Sequence, residues 1–167
     1  MTFSIRKHDR KEVIKADRII PDCMRAVMQG QEIVLRNPAS TRPYQHVLEP
    51  LYVYLMIAKA QCENIEFAGY YNFGPDECDC ITTGDLVDLF CKEWGNGQAW
   101  KNVCNQGPHE AQFLKLDCSK LKNTFGWGPR WQITEAVVKT VEWAKVYEQN
   151  DSIVDCMEKQ IRLFMLG

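Results

Sequence analysis

The chain has 167 residues, of which 46% are apolar and 11% aromatic, so it can form one compact domain with a real core and is not a disordered chain. Its net charge of −2, without a basic stripe along any predicted element, argues against a nucleic-acid-binding protein. The longest apolar stretch, Leu51 to Ala58, is too short to span a bilayer, and the charged start does not fit a signal peptide. We therefore expect a soluble, cytoplasmic protein.

The first 15 residues are polar, without a clear period, and we interpret them as a lead-in to the folded domain. The elements predicted in the first half are a helix from Ile20 to Gly30, a strand from Glu32 to Arg36, an extended piece from Thr41 to Val47, a helix from Glu49 to about Gln61, and a strand from Gly69 to Phe73. Pro21 suits the first turn of the first helix. The second helix is apolar on nearly all sides and is predicted to be buried.

The second half continues with further helices and short strands. They are a helix from Asp85 to Trp94, edge strands at 100–103 and 113–116, a short helix from Asp117 to Phe125, a long helix from Ile133 to Glu148, and a last helix beginning at Asp151. Thr82 and Asp85 have the spacing of a capping box at a helix start. The pattern indicates a helix-rich α/β fold with short strands, and it contains too few alternating strands and helices for a complete Rossmann sheet.

The eight cysteines are expected to be reduced thiols, because several fall on apolar helix faces where cysteine behaves as a small hydrophobic residue. The close pair Cys78 and Cys80 is separated by one residue. That is not the spacing of a zinc site, and no matching Cys or His pair follows. We predict no metal-binding residues.

Three stretches of the sequence carry a family resemblance. They read DRIIPDCMRA with RNPASTRPYQHVLEPL at 17–26 and 36–51, YNFGPD at 71–76, and PHEAQFLKLDCSKLKNTFGWGPRW at 108–131. Together they resemble the extended short-chain dehydrogenase/reductase family, and within it the CDP-glucose 4,6-dehydratases. The resemblance implies an amino-terminal dinucleotide domain that holds NAD and the catalytic Tyr and Lys, and a smaller carboxy-terminal region that closes over the nucleotide sugar.

This chain resembles mainly the second of those parts. It contains no G-x-x-G-x-x-G and no Tyr followed four places on by Lys, and the resemblance stops just before residue 16. We therefore predict a lead-in at 1–15 that departs from the family and a nucleotide-sugar-binding carboxy-terminal domain at 16–167. We expect no catalytic residue and no cofactor in this chain, although NAD is implied for the intact family enzyme.

The resemblance also implies which residues bind the ligand. Arg42 is expected to hold the diphosphate of the sugar nucleotide, because a guanidinium can donate two hydrogen bonds to one phosphate. From the residues alone, Arg42 would be a surface arginine at a turn. The further candidates are Arg18, Asn72, His109 and Glu110. Asn72 would also fit a bond to a neighbouring loop, and Glu110 would orient a hydroxyl or an arginine.

Other polar and aromatic residues are expected to be structural. These are His46, Trp127 and Trp131 in the core, Glu49 at a helix start, Asp117 as a helix N-cap, and Lys120 as a tether. The leading hypothesis is thus a carboxy-terminal fragment of a CDP-glucose 4,6-dehydratase, an enzyme that dehydrates CDP-glucose to CDP-4-keto-6-deoxyglucose, and we expect this fragment to be inactive alone. The alternative is a non-catalytic module that self-associates or docks onto a dinucleotide-binding half.

Overall fold

A computed structural model of the chain describes residues 18–103 and 116–167. The helices in these ranges are α1 (Ile19–Met28), α2 (Leu48–Glu63), α3 (Thr83–Trp94), α4 (Ser119–Phe125), α5 (Ile133–Gln149) and α6 (Ile153–Leu166). The strands are β1 (Ile33–Leu35), β2 (Thr41–Arg42), β3 (Ile81–Thr82) and β4 (Trp100–Asn102). The predicted helix-rich α/β class is confirmed.

The strands form two separate ladders. Strands β1 and β4 are parallel, with Ile33 opposite Trp100, whereas β2 and β3 are antiparallel, with Thr41 opposite Thr82. Each sheet has two strands, so the described residues form no extended parallel sheet.

The main core lies where α1, α3 and α5 pack together behind β1. Its most completely buried side chains include Phe90, Leu86 and Val141. Phe90 stacks on Trp94 with 5.6 Å between ring centroids. These residues recur at helical spacing on one face of α3 and α5, so the amphipathic pattern of each helix produces the core.

A second, smaller core joins α2 to α4. Val53, Leu121 and Trp127 are buried together there. Trp127 and Trp131 are only 5% and 7% exposed, which confirms their predicted place in the core. His46 is likewise buried, and its ring meets the ring of Trp131 edge to face at 4.8 Å.

The predicted capping box at the start of α3 is confirmed. The hydroxyl of Thr82 accepts the backbone N–H of Asp85 at 3.1 Å, and the Asp85 carboxylate accepts the N–H of Thr82 at 3.2 Å. Gly30 lies just beyond the end of α1 with a φ of +64°, a conformation that favours glycine. Asp117 is close to its predicted role, because its carboxylate accepts the N–H of Ser119, but Cys118 is the residue at the N-cap position of α4.

The prediction that α2 is a buried helix is wrong. Only Glu49 and Val53 in this helix are buried, whereas Leu51, Tyr54 and Leu55 are 49%, 59% and 71% exposed. An apolar helix surface is buried only where another element packs on it. In the smaller core, α4 and its flanking turns cover only one side of α2. The apolar residues on the other side face outward.

The strand predicted at 69–73 is also wrong. The segment has no regular secondary structure and pairs with no strand of the described residues. Its position comes from side chains instead: the ring of Tyr71 meets Phe125 at 5.3 Å, and Lys120 lies 4.6 Å above the same ring. Aromatic residues at a turn therefore produced a strand-like pattern without a ladder. The Lys120 contact fits the predicted tether.

Some predictions fall outside the described residues. These are the lead-in at 1–15 and most of the edge strand at 113–116. Within the described ranges, no helix combines the length and apolar character needed to cross a membrane.

Candidate functional site

An open cleft of ≈ 740 Å³ lies between α1, β1 and the chain that enters β2. We call it the arginine cleft, because Arg18, Arg36 and Arg42 all line it. Its acidic lining residues are Asp22 and Glu32. Arg18 and Arg36 are exposed and Arg42 is half-buried.

The two acidic residues of the cleft are paired with cations from outside it. Asp22 forms an ion pair with Arg25 one turn further along α1, and Glu32 forms one with Lys101 on β4. Neither Arg25 nor Lys101 is among the described residues that line the cleft. These pairs offset the charges of the two acids, so positive charge outweighs negative charge among the described residues that line the cleft, which suits an anion.

The arginine cleft is built on a turn that is bonded to the start of α3. The backbone N–H of Thr83 donates to the carbonyl of Ser40 at 2.8 Å, and the N–H of Gly84 donates to the carbonyl of Pro38 at 2.8 Å. These two N–H groups belong to the first turn of a helix, where no intrahelical acceptor is available to them. The turn at 37–40 thus satisfies the helix start and is held in place by it.

Three hydroxyl groups hold the turn in place as well. The Thr83 hydroxyl lies 2.9 Å from the Ser40 hydroxyl and 2.7 Å from the hydroxyl of Tyr44, and it donates to the Ser40 carbonyl at 3.1 Å. Ser40 and Thr83 are both buried. Because Ser40, Tyr44 and Thr83 also line the cleft, this network forms a rigid, neutral polar wall beside the arginines.

Gly84 allows the close packing of this turn. A Cβ atom at residue 84 would lie 3.3 Å from the carbonyl oxygen of Pro38 and 3.5 Å from the ring of Trp100. A larger residue would therefore push the turn away from α3 or displace the indole. The glycine is needed here for close approach of two backbones.

The structure brings two of the sequence-derived candidates together and separates a third. Arg18 and Arg42 line the same cleft, although they are 24 positions apart in sequence. Asn72 is not among the described residues that line it. Its side-chain amide donates to the backbone carbonyl of Asp117 at 3.3 Å, which matches the loop-bonding alternative. His109 and Glu110 lie outside the described residues.

Sequence reasoning missed Arg36 and the hydroxyl network. A signal for Arg36 was present, since Ile33 and Leu35 are buried while Val34 is exposed, and this alternation places residue 36 on the side of Val34. The Ser40–Thr83 contact joins residues 43 positions apart, and no local pattern marks it.

A buried carboxylate, Glu49, ties α2 to the segment that enters α5. One of its oxygens accepts the backbone N–H groups of Arg130 at 2.8 Å and Trp131 at 2.9 Å. The other oxygen is buried without a hydrogen-bond partner among the described residues. Burial raises the pKa of Glu49, and the two hydrogen bonds oppose this rise. Glu49 was predicted to stabilise a helix start, and it also holds two distant segments together.

His46 lies close to this link and is neutral. Burial, with a smaller effect of Lys139, lowers the pKa of His46 to about 4. Its Nδ1 accepts the backbone N–H of Leu48 at 3.3 Å, which places the proton on Nε2. The predicted structural role of His46 therefore agrees with its surroundings.

A second cavity, of ≈ 500 Å³, lies between α1, α5 and α6. Its wall is largely apolar, with Ile20, Met24 and Trp143 among its members, and no described residue that lines it is charged. The phosphates of a nucleotide would find no cation there. The arginine cleft is the better anion site for this reason.

The cysteines of the described residues offer no metal site. No group of three or more Cys, His, Asp or Glu side chains within 18–103 and 116–167 is arranged to hold a metal ion. Cys23 is fully buried, and its burial raises the pKa of the thiol to about 12. Such a thiol behaves as a core residue and is a poor nucleophile.

Comparison with known proteins agrees with the family resemblance. No family model matches the chain. Over 150 residues the chain is 39% identical to CDP-glucose 4,6-dehydratase of Salmonella typhimurium, which covers 89% of this chain and 42% of that enzyme. The chain thus spans less than half the length of the relative it matches. This similarity confirms the predicted resemblance to a carboxy-terminal portion of such an enzyme.

A solved structure supports the fold. The chain superposes on the crystal structure of UDP-N-acetylglucosamine 4-epimerase from Bacillus cereus with a TM-score of 0.61. The match covers 79% of this chain and 44% of the epimerase, at 16% identity. At that identity the match shows a shared fold for the helix-rich α/β unit, and the partial coverage again corresponds to less than half of a longer protein.

Proposed function

We propose that this chain binds the diphosphate of a nucleotide sugar of the CDP-glucose class in its arginine cleft. In this proposal it is the nucleotide-sugar-binding portion of an enzyme of the CDP-glucose 4,6-dehydratase type. The observation that carries the proposal is that Arg18 and Arg42, each selected from the family resemblance, line one cleft with a third arginine. The similarity to the Salmonella dehydratase supports the choice of ligand.

The chemistry of the cleft suits a diphosphate. A guanidinium donates two parallel hydrogen bonds to one phosphate group, and it is less strongly hydrated than an ammonium group. Arg42 lies in β2, where pairing with Ile81 fixes its backbone. Its guanidinium is therefore carried by an ordered strand, which reduces the entropy lost when a ligand binds.

Catalysis is not proposed for this chain. The sequence of 167 residues has no glycine-rich dinucleotide loop and no Tyr-x-x-x-Lys, so its residues do not fit NAD or a catalytic base of this family. In this proposal the chain's own contribution is to bind and orient the nucleotide sugar, while cofactor and base belong to a dinucleotide-binding half. Purified chain supplied with CDP-glucose and NAD should yield no keto-sugar product.

Calorimetric or NMR titration of CDP-glucose into the chain tests the proposal. We expect a dissociation constant of about millimolar, because in this proposal the rest of the pocket wall belongs to the dinucleotide-binding half. Arg42→Ala should weaken binding by roughly 1.5–3 kcal/mol, about tenfold or more, and Arg42→Lys should restore it only in part. The matched control is Arg162→Ala, which removes an exposed arginine on α6 that pairs with Glu158.

Two results would count against the proposed function. One is the absence of measurable CDP-glucose binding at millimolar concentration. The other is equal binding by the wild type and Arg42→Ala, with circular dichroism showing that the variant is folded. The second result would return Arg42 to the role of a surface residue at a turn.

The exposed face of α2 favours a second candidate function, self-association or docking onto a complementary half. Val47, Leu51, Tyr54 and Leu55 are all exposed and follow one another at spacings of four, three and one residues. These spacings place them on one side of the helix. Exposed apolar residues grouped on one side of a helix are a feature of interaction surfaces.

A further inference from the structure

We infer that the apolar cavity between α1, α5 and α6 binds a neutral aromatic molecule that carries a hydroxyl group. The volume of this cavity, ≈ 500 Å³, lies within the range of pockets that take small organic ligands. The cavity and the arginine cleft share no described lining residue. The inference is therefore independent of the proposed function.

Two helices supply pairs of apolar side chains to the cavity. Ile20 and Met24 stand one turn apart on α1, and Met157 and Ile161 stand one turn apart on α6. Residues four positions apart lie on the same side of a helix, so each pair forms one continuous part of the wall. The space between these pairs is open to a ligand and is largely apolar.

The wall favours an aromatic ligand without charge. No described residue that lines the cavity is charged, so an ionic group would be buried there without a counter-charge. The indole of Trp143 offers an aromatic surface, and it stacks on Tyr147 with 5.4 Å between ring centroids. Met24 and Met157 add thioethers, which make favourable contacts with aromatic rings. A planar ring uses these contacts better than an aliphatic chain does.

His46 supplies a hydrogen-bond donor to this apolar wall. The residue is 9% exposed, and its Nδ1 accepts the backbone N–H of Leu48 at 3.3 Å, which leaves the proton on Nε2. Within the described residues, Nε2 forms no hydrogen bond. A buried donor without an acceptor costs free energy, and a ligand oxygen in the cavity that His46 lines would offset this cost.

Two amide oxygens of the wall are acceptors without a donor. The side chain of Gln160 is 4% exposed, and its nitrogen donates to the carbonyl of Lys139 at 2.8 Å, whereas its oxygen accepts no hydrogen bond from the described residues. The Oε1 atom of Gln45 is buried, also without a partner among them. Both glutamines line the cavity together with His46. A hydroxyl group both accepts and donates, so it suits this combination of groups, whereas an ether or a ketone only accepts.

Titration of 2-naphthol into protein with isotope-labelled methionine methyl groups tests the inference and locates the ligand. The methyl signals of Met24 and Met157 should shift. The signal of Met165 should not, because this residue of α6 is 57% exposed and is not among the described residues that line the cavity. The carboxylate 2-naphthoate has the same rings and should bind at Met24 and Met157 about tenfold or more weakly, because a charge is buried there without a counter-charge.

A variant that fills the cavity tests whether 2-naphthol occupies it. Ile161→Trp places a large ring at a lining residue that is 44% exposed, so the variant should fold. It should bind 2-naphthol about tenfold or more weakly, because the new ring takes the volume that the ligand needs. The matched control is Ile65→Trp, at a residue that is 76% exposed and outside the described cavity wall, and it should retain full affinity.

The variants Gln160→Met and Gln45→Met test the hydroxyl group of the ligand. Each keeps the length of the side chain and removes one amide oxygen. The affinity for 2-naphthol is compared with that for naphthalene, which has no hydroxyl, so a general change in packing cancels in the ratio. In at least one of the two variants the preference for 2-naphthol should fall about threefold to tenfold, the effect of one hydrogen bond.

Four results would overturn the inference. They are unshifted Met24 and Met157 signals at the solubility limit of 2-naphthol, equally tight binding of 2-naphthoate at these methyl groups, full affinity of folded Ile161→Trp, and an unchanged preference in both glutamine variants. If a glutamine variant does not fold, 2-methoxynaphthalene replaces it as the test, because its oxygen accepts but does not donate. The wild type should bind this ether about threefold to tenfold more weakly than 2-naphthol, and equal affinity would overturn the inference as well.

Discussion

Glu49 and Trp131 are joined by a hydrogen bond of 2.9 Å between a buried carboxylate and a backbone N–H, across 82 positions of the sequence. The same oxygen accepts the N–H of Arg130, whose guanidinium lies over the ring of Tyr52 and donates to the carbonyl of Phe164 in α6. This small group of contacts connects α2, the start of α5 and the end of α6. It therefore holds together three segments that are far apart in the sequence.

Loss of the Glu49 side chain should destabilise the fold. Glu49→Ala leaves the buried N–H of Trp131 and the part-buried N–H of Arg130 without an acceptor and opens a cavity, so we expect the free energy of unfolding to fall by about 2–4 kcal/mol. Glu49→Gln keeps an acceptor oxygen and should stay within about 1 kcal/mol of the wild type at pH 7. Urea unfolding followed by circular dichroism measures both. Equal stability of the alanine variant and the wild type would show that water or another group replaces the carboxylate.

Acidification should destabilise the protein through His46. Its pKa is lowered from 6.5 to about 4 in the folded state, so between these values the unfolded chain binds a proton that the folded chain does not. The stability due to neutral His46 is therefore complete above pH 6.5 and is lost as the pH falls towards 4, by about 3 kcal/mol in total. Burial raises the pKa of Glu49, which gives that residue a pH dependence of the opposite sign.

His46→Asn is the variant that isolates this effect. Asparagine can accept the N–H of Leu48 as Nδ1 does, but it does not titrate. The difference in unfolding free energy between the wild type and His46→Asn should therefore shrink as the pH falls from 7.5 to 4.5. A difference that stays constant over this range would show that the pKa of His46 is the same in the folded and the unfolded chain, which would contradict the prediction.

The sequence predicted local structure well where a few neighbouring residues determine it. The capping box of Thr82 and Asp85 and the glycine after α1 depend on the chemistry of a few neighbouring residues, and both are found as expected. The exposed face of α2 was not predictable, because an apolar helix is buried only where a partner element covers it.

The candidate site shows the same division between local and distant information. Arg18 and Arg42 followed from the resemblance, but their common cleft depends on how α1 and β2 are arranged. The hydroxyl contacts of Thr83 with Ser40 and Tyr44 join residues about 40 positions apart and have no sequence signature. The alternation along β1 indicates which side of the strand Arg36 takes, but its place in one cleft with Arg18 depends on tertiary packing.

Self-association through α2 should be sensitive to a charge in the exposed face. Leu55→Glu places a carboxylate at a position that is 71% exposed, so it should leave stability within about 0.5 kcal/mol of the wild type and abolish association. Leu166→Glu makes the same change at a residue that is 85% exposed on α6, and it should associate as the wild type does. Sedimentation equilibrium at several concentrations measures the masses. A wild type that remains monomeric at high concentration would contradict the self-association candidate.

The hydroxyl of Thr83 should link the stability of the turn to ligand affinity. Thr83→Val keeps the shape of the side chain but removes the contacts with the Ser40 hydroxyl, the Ser40 carbonyl and the Tyr44 hydroxyl. We expect a loss of about 1–3 kcal/mol in unfolding free energy, because buried partners are left without their hydrogen bond. The turn that carries Arg36 and Arg42 should then be less well fixed, and CDP should bind about twofold to fivefold more weakly.

Thr140→Val is the matched control for this variant. It removes a hydroxyl that donates to the Ala136 carbonyl inside α5 at 2.7 Å, and Thr140 is not among the described residues that line the arginine cleft. Its affinity for CDP should equal that of the wild type. If Thr83→Val loses stability but retains full affinity for CDP, the hydrogen bonds of the turn stabilise the fold and make no contribution to ligand binding. If both valine variants lose affinity equally, the loss reflects general destabilisation, and the link between the turn and the ligand is refuted.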